Sequence, residues 1–293
     1  MFRKVNLKIA DYSIHLLSDF DLELEEGYLP FIEESTEGEV DIDIKCYEGI
    51  PFEVFNTDDL VFEARNDVQK FYAIYRMKDG LLFYIYNQQI INQISHVAYL
   101  NENYTDWKIY VAAQENGKVN ALKYPLGPII MHYLTVKSEA VMIHASCIFD
   151  GSKGRLFTGF SGRGKSTISK LWADAGNLVI NDDRIIIRKQ NNHYYAYNTP
   201  MYYQDKPKKT QLDSIFLISH SPENVMTKLS GATAVSRVMA FCIQNNFDPL
   251  FIQNNLDFLS ELSSQVDIYD LGFVPDERIV TFIQENESTK ELS

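Results

Sequence analysis

Apolar and polar positions alternate with a period of two through the first 120 residues of the chain. The alternation is clearest in residues 5–9, 40–46 and 107–111. A period of two places successive side chains on opposite faces, so these segments predict half-buried antiparallel strands. Between the β-rich runs FYAIYR and LLFYIY, Asp79-Gly80 predicts the tight turn of a hairpin. We therefore expect residues 1–120 to form a mainly β N-terminal domain.

Helical spacing replaces this alternation after Pro125. Apolar side chains then fall on one helical face: Leu126, Ile129, Ile130, Tyr133 and Leu134. Strands predicted over residues 141–150, 155–160 and 177–189 and a helix over 165–175 indicate an α/β domain. We expect this domain to cover residues 121–284. The polar residues 285–293 are expected to be a loose tail.

The composition is that of a soluble globular protein, with 45% hydrophobic and 23% charged residues among 293. No apolar run reaches the length of about 18 residues that a membrane span needs. The three cysteines, Cys46, Cys147 and Cys242, are far apart and contain no C-x-x-C pair. Their spacing argues against a zinc site or a redox disulfide and favours a reducing cytoplasm.

The negative charge is concentrated at the N-terminus. The net charge is −13, and residues 1–60 hold 16 acidic and 4 basic side chains. Nucleic acids and anionic lipids are polyanions, so neither is expected to bind this face. The acidic segment is interpreted as a solvated surface, and the alternative is a docking surface for a basic partner.

A glycine-rich motif follows the predicted strand at residues 155–160. The motif is G-F-S-G-R-G-K-S, from Gly159 to Ser166. A helix is predicted over residues 165–175, with Gly176 placed to end it in the left-handed conformation. A strand, a glycine-rich loop and a helix N-terminus are the context of a phosphate-binding loop, whose N–H groups and helix dipole attract phosphate oxygens.

The residues predicted to bind ATP are Gly159, Ser161, Gly162, Arg163, Gly164, Lys165, Ser166 and Thr167. Lys165 would reach the β and γ phosphates, and Ser166 would be a ligand of Mg²⁺. The alternative is a glycine-rich turn that binds nothing. The strand before the motif and the helix after it favour the phosphate-binding loop.

Two adjacent acids follow the predicted helix. The segment 177–189 reads as a strand whose end carries Asp182 and Asp183. Carboxylates at the carboxyl end of a strand beside a phosphate-binding loop lie where open α/β sheets bind ligands. One of the pair would hold Mg²⁺ and the other would accept a proton from an attacking hydroxyl, and the residues alone leave open which does which. In isolation such a pair would be a turn or a solvated edge.

His144 lies in the predicted strand at residues 141–150, ahead of the motif. Alternation places it on the face of Met142 and Ser146, opposite Val141 and Ile143. A lone histidine on a strand is more often part of a core than of a catalytic site. Its register with the motif is the reason to include it, with Lys165 and the two aspartates, among the candidate catalytic residues.

These features together resemble a known family. The histidine, the motif and the Asp182-Asp183 pair, with their spacings, resemble the nucleotide core of HPr serine kinases and their relatives in the ATP-dependent phosphoenolpyruvate carboxykinase superfamily. The downstream segments Asn198-Thr199-Pro200, DSIFLISHS, GATAVSRVMAFC and IYDLGFVPDERIVTFI resemble the smaller HPr-kinase-like proteins. The resemblance covers about residues 120–284 and is strongest from 144 to 184.

The resemblance implies a P-loop kinase fold, ATP and Mg²⁺ as cofactors, and transfer of the γ-phosphoryl group to a serine hydroxyl. By position, Lys165 would bind phosphate, Ser166 would hold metal and His144 would assist. The aspartate pair would supply the base and a metal ligand, with a preference for Asp183 as the base. The glycine-rich and P-x-P-G-R-N-like segments of full HPr kinases are not found in the sequence, which argues against HPr as the substrate.

The sequence therefore predicts an ATP-dependent kinase acting on a serine of a protein or peptide. The alternatives are a kinase for a small hydroxylated metabolite, such as free serine, and a nucleotide-binding regulatory module without transfer. No nucleic-acid or membrane partner is expected, and a homo-oligomer is left open. Arg237, on a predicted helix, either pairs with phosphate charge or packs at the surface.

Overall fold

The computed structural model describes residues 3–34, 40–50, 59–112, 120–136 and 138–288. The chain divides into two compact units: residues 1–137 with 200–206 form unit 1, and residues 138–199 with 207–293 form unit 2. This division differs from the boundary expected at residue 120. The helix after Pro125 belongs to unit 1, and so does the segment that follows Thr199.

Unit 1 is mainly β and contains one α-helix and one short 3₁₀ helix among its described residues. Its elements are β1 (Arg3–Ile9), β2 (Tyr12–Ser18), the 3₁₀ helix Glu26–Phe31, β3 (Ile32–Glu33), β4 (Ile42–Glu48), β5 (Leu60–Arg65), β6 (Lys70–Met77), β7 (Gly80–Tyr86), β8 (Ile94–Asn101), β9 (Asp106–Val111) and α1 (Leu126–Val136). The described strands form one sheet in the order β3-β1-β2-β4-β9-β8-β7-β6-β5.

The predicted strands of unit 1 are present, but not all are antiparallel. The hairpin around Asp79-Gly80 joins β6 and β7 as expected. β4 instead pairs in parallel with both β2 and β9. A period of two shows which face of a strand is buried and says nothing about the direction of its neighbours. On the sheet, Tyr133 of α1 packs edge-on against Phe83 and Trp107, with ring centroids 5.4 and 5.8 Å away.

Unit 2 is an α/β unit built on a second large sheet. Its elements are β10 (Ala140–Phe149), β11 (Gly154–Thr158), α2 (Lys165–Asp174), β12 (Leu178–Asn181), β13 (Arg184–Gln190), β14 (His193–Asn198), β15 (Lys209–Gln211), β16 (Ser214–His220), β17 (Val225–Leu229), α3 (Gly231–Met239), α4 (Pro249–Leu262), β18 (Asp267–Phe273) and α5 (Arg278–Ser288). The order is β15-β14-β13-β10-β11-β16-β18-β17, and β12 also pairs with β10.

Helices cover both faces of the second sheet. Three of its strands, β11, β16 and β18, are parallel. Neighbouring residues of one strand enter different cores: Leu156 packs with α3 and α4, and Phe157 packs with α2 and α5. Strands buried on both faces read as continuous apolar runs, as LFT and IFLI do here. The parallel strands all end at the same edge, and the glycine-rich loop leaves the sheet there.

The first four residues of the segment expected to be a loose tail, residues 285–288, are helical. α5 extends to Ser288, and Glu287 is buried, because its carboxylate pairs with Arg155 and accepts a hydrogen bond from Ser214. The expectation of a loose tail is therefore wrong for residues 285–288. Residues 289–293 lie outside the described part of the chain.

The three cysteines have buried, free thiols. Burial raises the pKa of all three thiols, that of Cys242 to about 12. Among the described helices, none combines the length and the apolar character that crossing a membrane requires.

Candidate functional site

The glycine-rich loop spans residues 159–164, between the end of β11 and the start of α2. Gly162 and Gly164 have φ angles of 77° and 96°, in the left-handed region that favours glycine. A side chain at position 164 would come within 2.8 Å of the Phe273 ring. His220 lies 3.2 Å from the Gly162 carbonyl oxygen, measured from its Nε2 atom. Glycine therefore permits both the left-handed backbone of the loop and its close approach to β18.

Lys165 directs its ammonium back onto the start of the loop. The Nζ atom donates to the carbonyl oxygens of Gly159 at 2.8 Å and Phe160 at 3.4 Å. The residue is only 8% exposed. Burial lowers the pKa of Lys165, and the nearby Asp183 carboxylate opposes that shift. The first turn of α2 thus holds a buried cation, and Ser166 and Thr167 are exposed beside it.

The helix that carries Lys165 has the predicted extent. It covers Lys165–Asp174, and Gly176 follows with a φ of 86°. The prediction that Gly176 ends the helix in the left-handed conformation is confirmed.

His144 lies in β10, next to the strand that leads into the loop. Val141 and Ile143, on the opposite face of β10, enter the core, and the His144 side chain is 49% exposed. The core-histidine alternative is therefore wrong. The His144 Nε2 atom lies 3.9 Å from Asp183 Oδ1. Partial burial lowers the pKa of His144, the Lys165 charge lowers it further, and Asp183 acts in the opposite direction.

Asp182 and Asp183 follow the end of β12, as expected, and connect it to a second strand, β13. β12 ends just before them and β13 begins just after, and both strands pair with β10. The side-chain oxygen of Asn181 accepts hydrogen bonds from both backbone N–H groups, at 2.7 Å from Asp182 and 3.0 Å from Asp183. The Asp183 Oδ2 atom accepts from Arg184 at 2.9 Å. The single strand predicted over residues 177–189 is thus interrupted at the pair.

The structure brings three of the four candidate catalytic side chains together. Asp183 Oδ1 lies 3.9 Å from His144 Nε2, and the Asp183 carboxylate is close enough to Lys165 to act on its pKa. Asp182 is partly exposed, and its backbone N–H is held by Asn181. Ser161, Gly162 and Arg163 form the exposed outer part of the loop.

The loop fits a phosphate group. The backbone N–H groups of a loop with two left-handed glycines, those of a helix N-terminus and a buried ammonium are the kinds of donor that bind phosphate oxygens. Within the described ranges, no cluster of three or more His, Cys, Asp or Glu could hold a metal ion by itself. Mg²⁺ that binds with a nucleotide uses phosphate oxygens and only one or two carboxylates, so Ser166 and Asp182 remain the predicted ligands.

Several supporting residues were not identified from the sequence. Asn181 anchors the aspartate pair, and its side chain also donates to the Thr199 carbonyl oxygen at 3.2 Å. Arg184 orients Asp183, and Thr158 donates to the His144 carbonyl oxygen at 2.8 Å. The polar residue directly before the acids was the available signal for Asn181. The other partners become visible only when β10, β11 and β13 pair.

Arg237 does not offer a free guanidinium. Its Nη1 and Nη2 atoms donate to the two carboxylate oxygens of Asp270, at 2.7 and 2.8 Å. This bidentate pair attaches α3 to β18. The packing interpretation of Arg237 is thus the one the geometry favours.

Comparison with known proteins gives little sequence support. No protein-family model and no curated protein match the chain. Among solved structures, the HPr(Ser) kinase/phosphatase from Coxiella burnetii is similar with a TM-score of 0.32 and 13% identity, over 52% of this chain and 90% of that one. A TM-score below 0.5 marks this similarity as weak.

Proposed function

We propose that the chain is an ATP-dependent kinase that transfers the γ-phosphoryl group to a serine hydroxyl of a protein or peptide. The observation that carries this proposal is the position of Asp183. Its carboxylate lies 3.9 Å from His144 and acts on Lys165, whose ammonium sits inside the glycine-rich loop. A phosphate-binding loop alone would support nucleotide binding, whereas a carboxylate beside its lysine supports transfer.

The residues have distinct roles in this proposal. The N–H groups of the loop and the Lys165 ammonium bind phosphate oxygens and neutralise their charge. Asp183 accepts the proton of the acceptor hydroxyl, and Arg184 holds the carboxylate in place. His144, neutral near pH 7 because its pKa is lowered, orients the hydroxyl beside Asp183. When bound, ATP with Mg²⁺ supplies the phosphoryl group and charge neutralisation, and Ser166 and Asp182 would hold the metal.

The experiment is incubation of the purified protein with γ-labelled ATP, Mg²⁺ and cell lysate, followed by separation of proteins and peptides from small molecules. We expect label in the protein and peptide fraction with the wild type and with Lys170→Ala, an exposed lysine on the same helix. Asp183→Asn should reduce this label by about a hundredfold or more and retain ATP binding.

Other results would contradict the proposal in different ways. Label confined to small molecules would establish a metabolite kinase, for which free serine is the first acceptor to test. ATP binding without any transfer would establish a nucleotide-binding module. Failure to bind ATP would reject the site itself.

A further inference from the structure

A pocket opens beside the glycine-rich loop, at the carboxyl ends of β11 and β16. Its volume is about 370 Å³, near the lower end of the usual range of about 300–1,000 Å³ for ligand pockets. The apolar part of its lining is Phe160, Leu217, Ile218, Ala240 and Phe241. Arg163 and Arg237 complete the polar part of the lining, together with Ser219 and the backbone of Gly159.

The lining of the pocket includes an aromatic ring, that of Phe160, which is largely exposed and is not part of the core. Phe160 is 69% exposed, although it follows the first glycine of the loop. Its ring packs edge-on against Phe241, with centroids 5.2 Å apart. Burial of apolar surface is favourable by about 25 cal/mol per Å². The two rings therefore form a ready contact surface for an apolar group.

The pocket lies at the end of the loop where the transferred phosphoryl group would be. The Lys165 ammonium, which binds the β and γ phosphates in such loops, contacts the carbonyl oxygens of Gly159 and Phe160. Both residues line the pocket. The γ-phosphate is thus expected at the mouth of the pocket, with the nucleoside at the opposite end of the triphosphate.

The pocket is also joined to the strand that carries His144. The backbone N–H of His144 donates to the carbonyl oxygen of Phe241 at 3.1 Å. The His144 side chain in turn lies 3.9 Å from Asp183. One wall of the pocket is therefore joined to the strand that carries the catalytic candidates.

From these positions we infer that the pocket binds a large apolar side chain of a peptide substrate, next to its acceptor serine. This inference rests on the proposed kinase function. A bound apolar side chain at Phe160 and Phe241 would place the adjacent serine between Lys165 and Asp183. The acceptor is therefore a peptide segment in which Phe, Leu or Met neighbours the serine.

The test uses short synthetic peptides that differ only in the residue beside a single serine. Wild-type protein with ATP and Mg²⁺ should phosphorylate peptides with Phe, Leu or Met there about tenfold faster, in kcat/KM, than peptides with Gly or Asp, since a filled apolar pocket discriminates by this order. Ala240→Phe, which fills the pocket, should remove this preference. Ala232→Phe adds the same ring at an exposed position of α3 that does not line the pocket, and it should keep the preference.

Phe160→Ala is a second variant, because its ring is exposed and its removal leaves the core unchanged. It should also reduce the preference, by raising KM more than it lowers kcat. Calorimetric ATP binding shows that each variant is folded.

Phosphorylation of all serine peptides alike, or a preference retained by Ala240→Phe, would reject the pocket assignment and leave the kinase function intact. A large loss of ATP affinity in Ala240→Phe with the peptide preference unchanged would assign the pocket to the nucleotide and likewise reject the inference. Absence of label in every peptide would reject the inference together with the peptide-kinase function.

Discussion

Lys165 is buried, and its own loop supplies only two hydrogen-bond acceptors for its ammonium. Two backbone carbonyl oxygens accept from its ammonium, and burial lowers its pKa. Lys165→Ala should remove a charge-assisted contact to phosphate worth about 1.5–3 kcal/mol, which weakens ATP binding more than tenfold. Calorimetry measures this loss, and Lys170→Ala on the exposed side of the same helix is the control. Equal ATP affinity in the wild type and the Lys165 variant would reject the phosphate assignment.

His144 should affect activity more than stability, because half of its side chain is exposed. Its pKa is lowered below 6.5, so the ring is neutral at pH 7 and gains a proton only in more acidic solution. We expect wild-type turnover to fall only in solution more acidic than pH 6.5, where the ring gains this proton. His144→Gln should have lower turnover at pH 7, no such acidic limb, and a melting temperature close to that of the wild type. A large stability loss with unchanged turnover per folded molecule would contradict the catalytic role.

Replacing Asp182 and replacing Asp183 should impair activity in different ways. Asp183→Asn removes the proposed proton acceptor and should lower turnover by about 10²–10⁴-fold with ATP binding retained. Asp182→Asn removes a proposed metal ligand and should raise the Mg²⁺ concentration needed for half-maximal activity. Turnover measured across a Mg²⁺ titration separates the two effects. If both variants kept wild-type transfer and Mg²⁺ dependence, the kinase mechanism would be wrong.

At the scale of elements, a buried ion network attaches α5 to the sheet. Arg155 of β11 is 2% exposed, and its guanidinium pairs with Asp150 at 2.5 Å and with Glu287 at 2.7 Å. It also lies over the Trp172 ring of α2, 5.0 Å from the centroid. Ser214, at the start of β16, donates to the other Glu287 oxygen at 2.6 Å. Four elements therefore depend on one buried arginine.

Glu287→Ala should destabilise unit 2 strongly, because it leaves the buried Arg155 with one carboxylate instead of two. Removing one partner from a buried ion pair costs about 3–5 kcal/mol, and the remaining Asp150 places the expected value near the lower limit. Urea unfolding measures the loss. Arg278→Ala, which breaks an exposed pair with Asp276 at the start of the same helix, should change the midpoint far less. Similar shifts in the two variants would contradict a structural role for the network.

At the scale of the whole molecule, the two units should respond differently to acid. His96 of unit 1 is 2% exposed, and its Nε2 atom hydrogen-bonds to the Asn120 carbonyl oxygen at 2.8 Å. Burial lowers the pKa of His96, so folded unit 1 favours the neutral ring. Unfolded chains take up that proton below about pH 6.5, and unit 1 therefore loses stability as the pH falls below this value.

The lowered pKa of His144 also costs unit 2 some stability below pH 6.5, but this half-exposed ring contributes less than the buried His96. Unit 2 should therefore resist acid to a lower pH. Burial alone raises the pKa of Asp150, but hydrogen bonds from Lys153 and Ser152 and the ion pair with Arg155 outweigh it and place the pKa well below 3.8. The stabilisation from this carboxylate is present above pH 3.8 and is lost only as the pH falls below it.

The two tryptophans of the chain report on the two units separately. Trp107 is buried in unit 1 and Trp172 in unit 2. In an acid titration followed by fluorescence, Trp172→Phe protein, which retains Trp107, should unfold at higher pH than Trp107→Phe protein. His96→Gln should move the Trp107 transition to lower pH and leave the Trp172 transition in place. A single transition common to both tryptophans would contradict the prediction.

Much of the candidate site follows from short stretches of sequence. The strand, glycine-rich loop and helix around Lys165 are predictable because turn conformation, helix start and helix end depend on residues that are close in the chain. Gly164 with its positive φ and Gly176 at the helix end are examples. Alternation also places His144 and Val141 on opposite faces of β10, but both faces are buried, since Met142 and Ser146 on the face of His144 are inaccessible as well. Local patterns thus predicted the elements around the loop and left the extent of burial to the packing.

Tertiary structure decided which of these elements meet. The parallel pairing of β4 with β2 and β9 depends on neighbours that a period of two does not encode. Arg155 and Glu287 are 132 residues apart in sequence. Their pairing attaches the last turn of α5 to the sheet, where the polar composition of residues 285–293 predicts a loose tail. The pocket likewise exists only because the chain after α3 returns to β10, where Phe241 meets His144. Contacts between distant segments depend on packing of the whole chain, so local sequence patterns do not predict them.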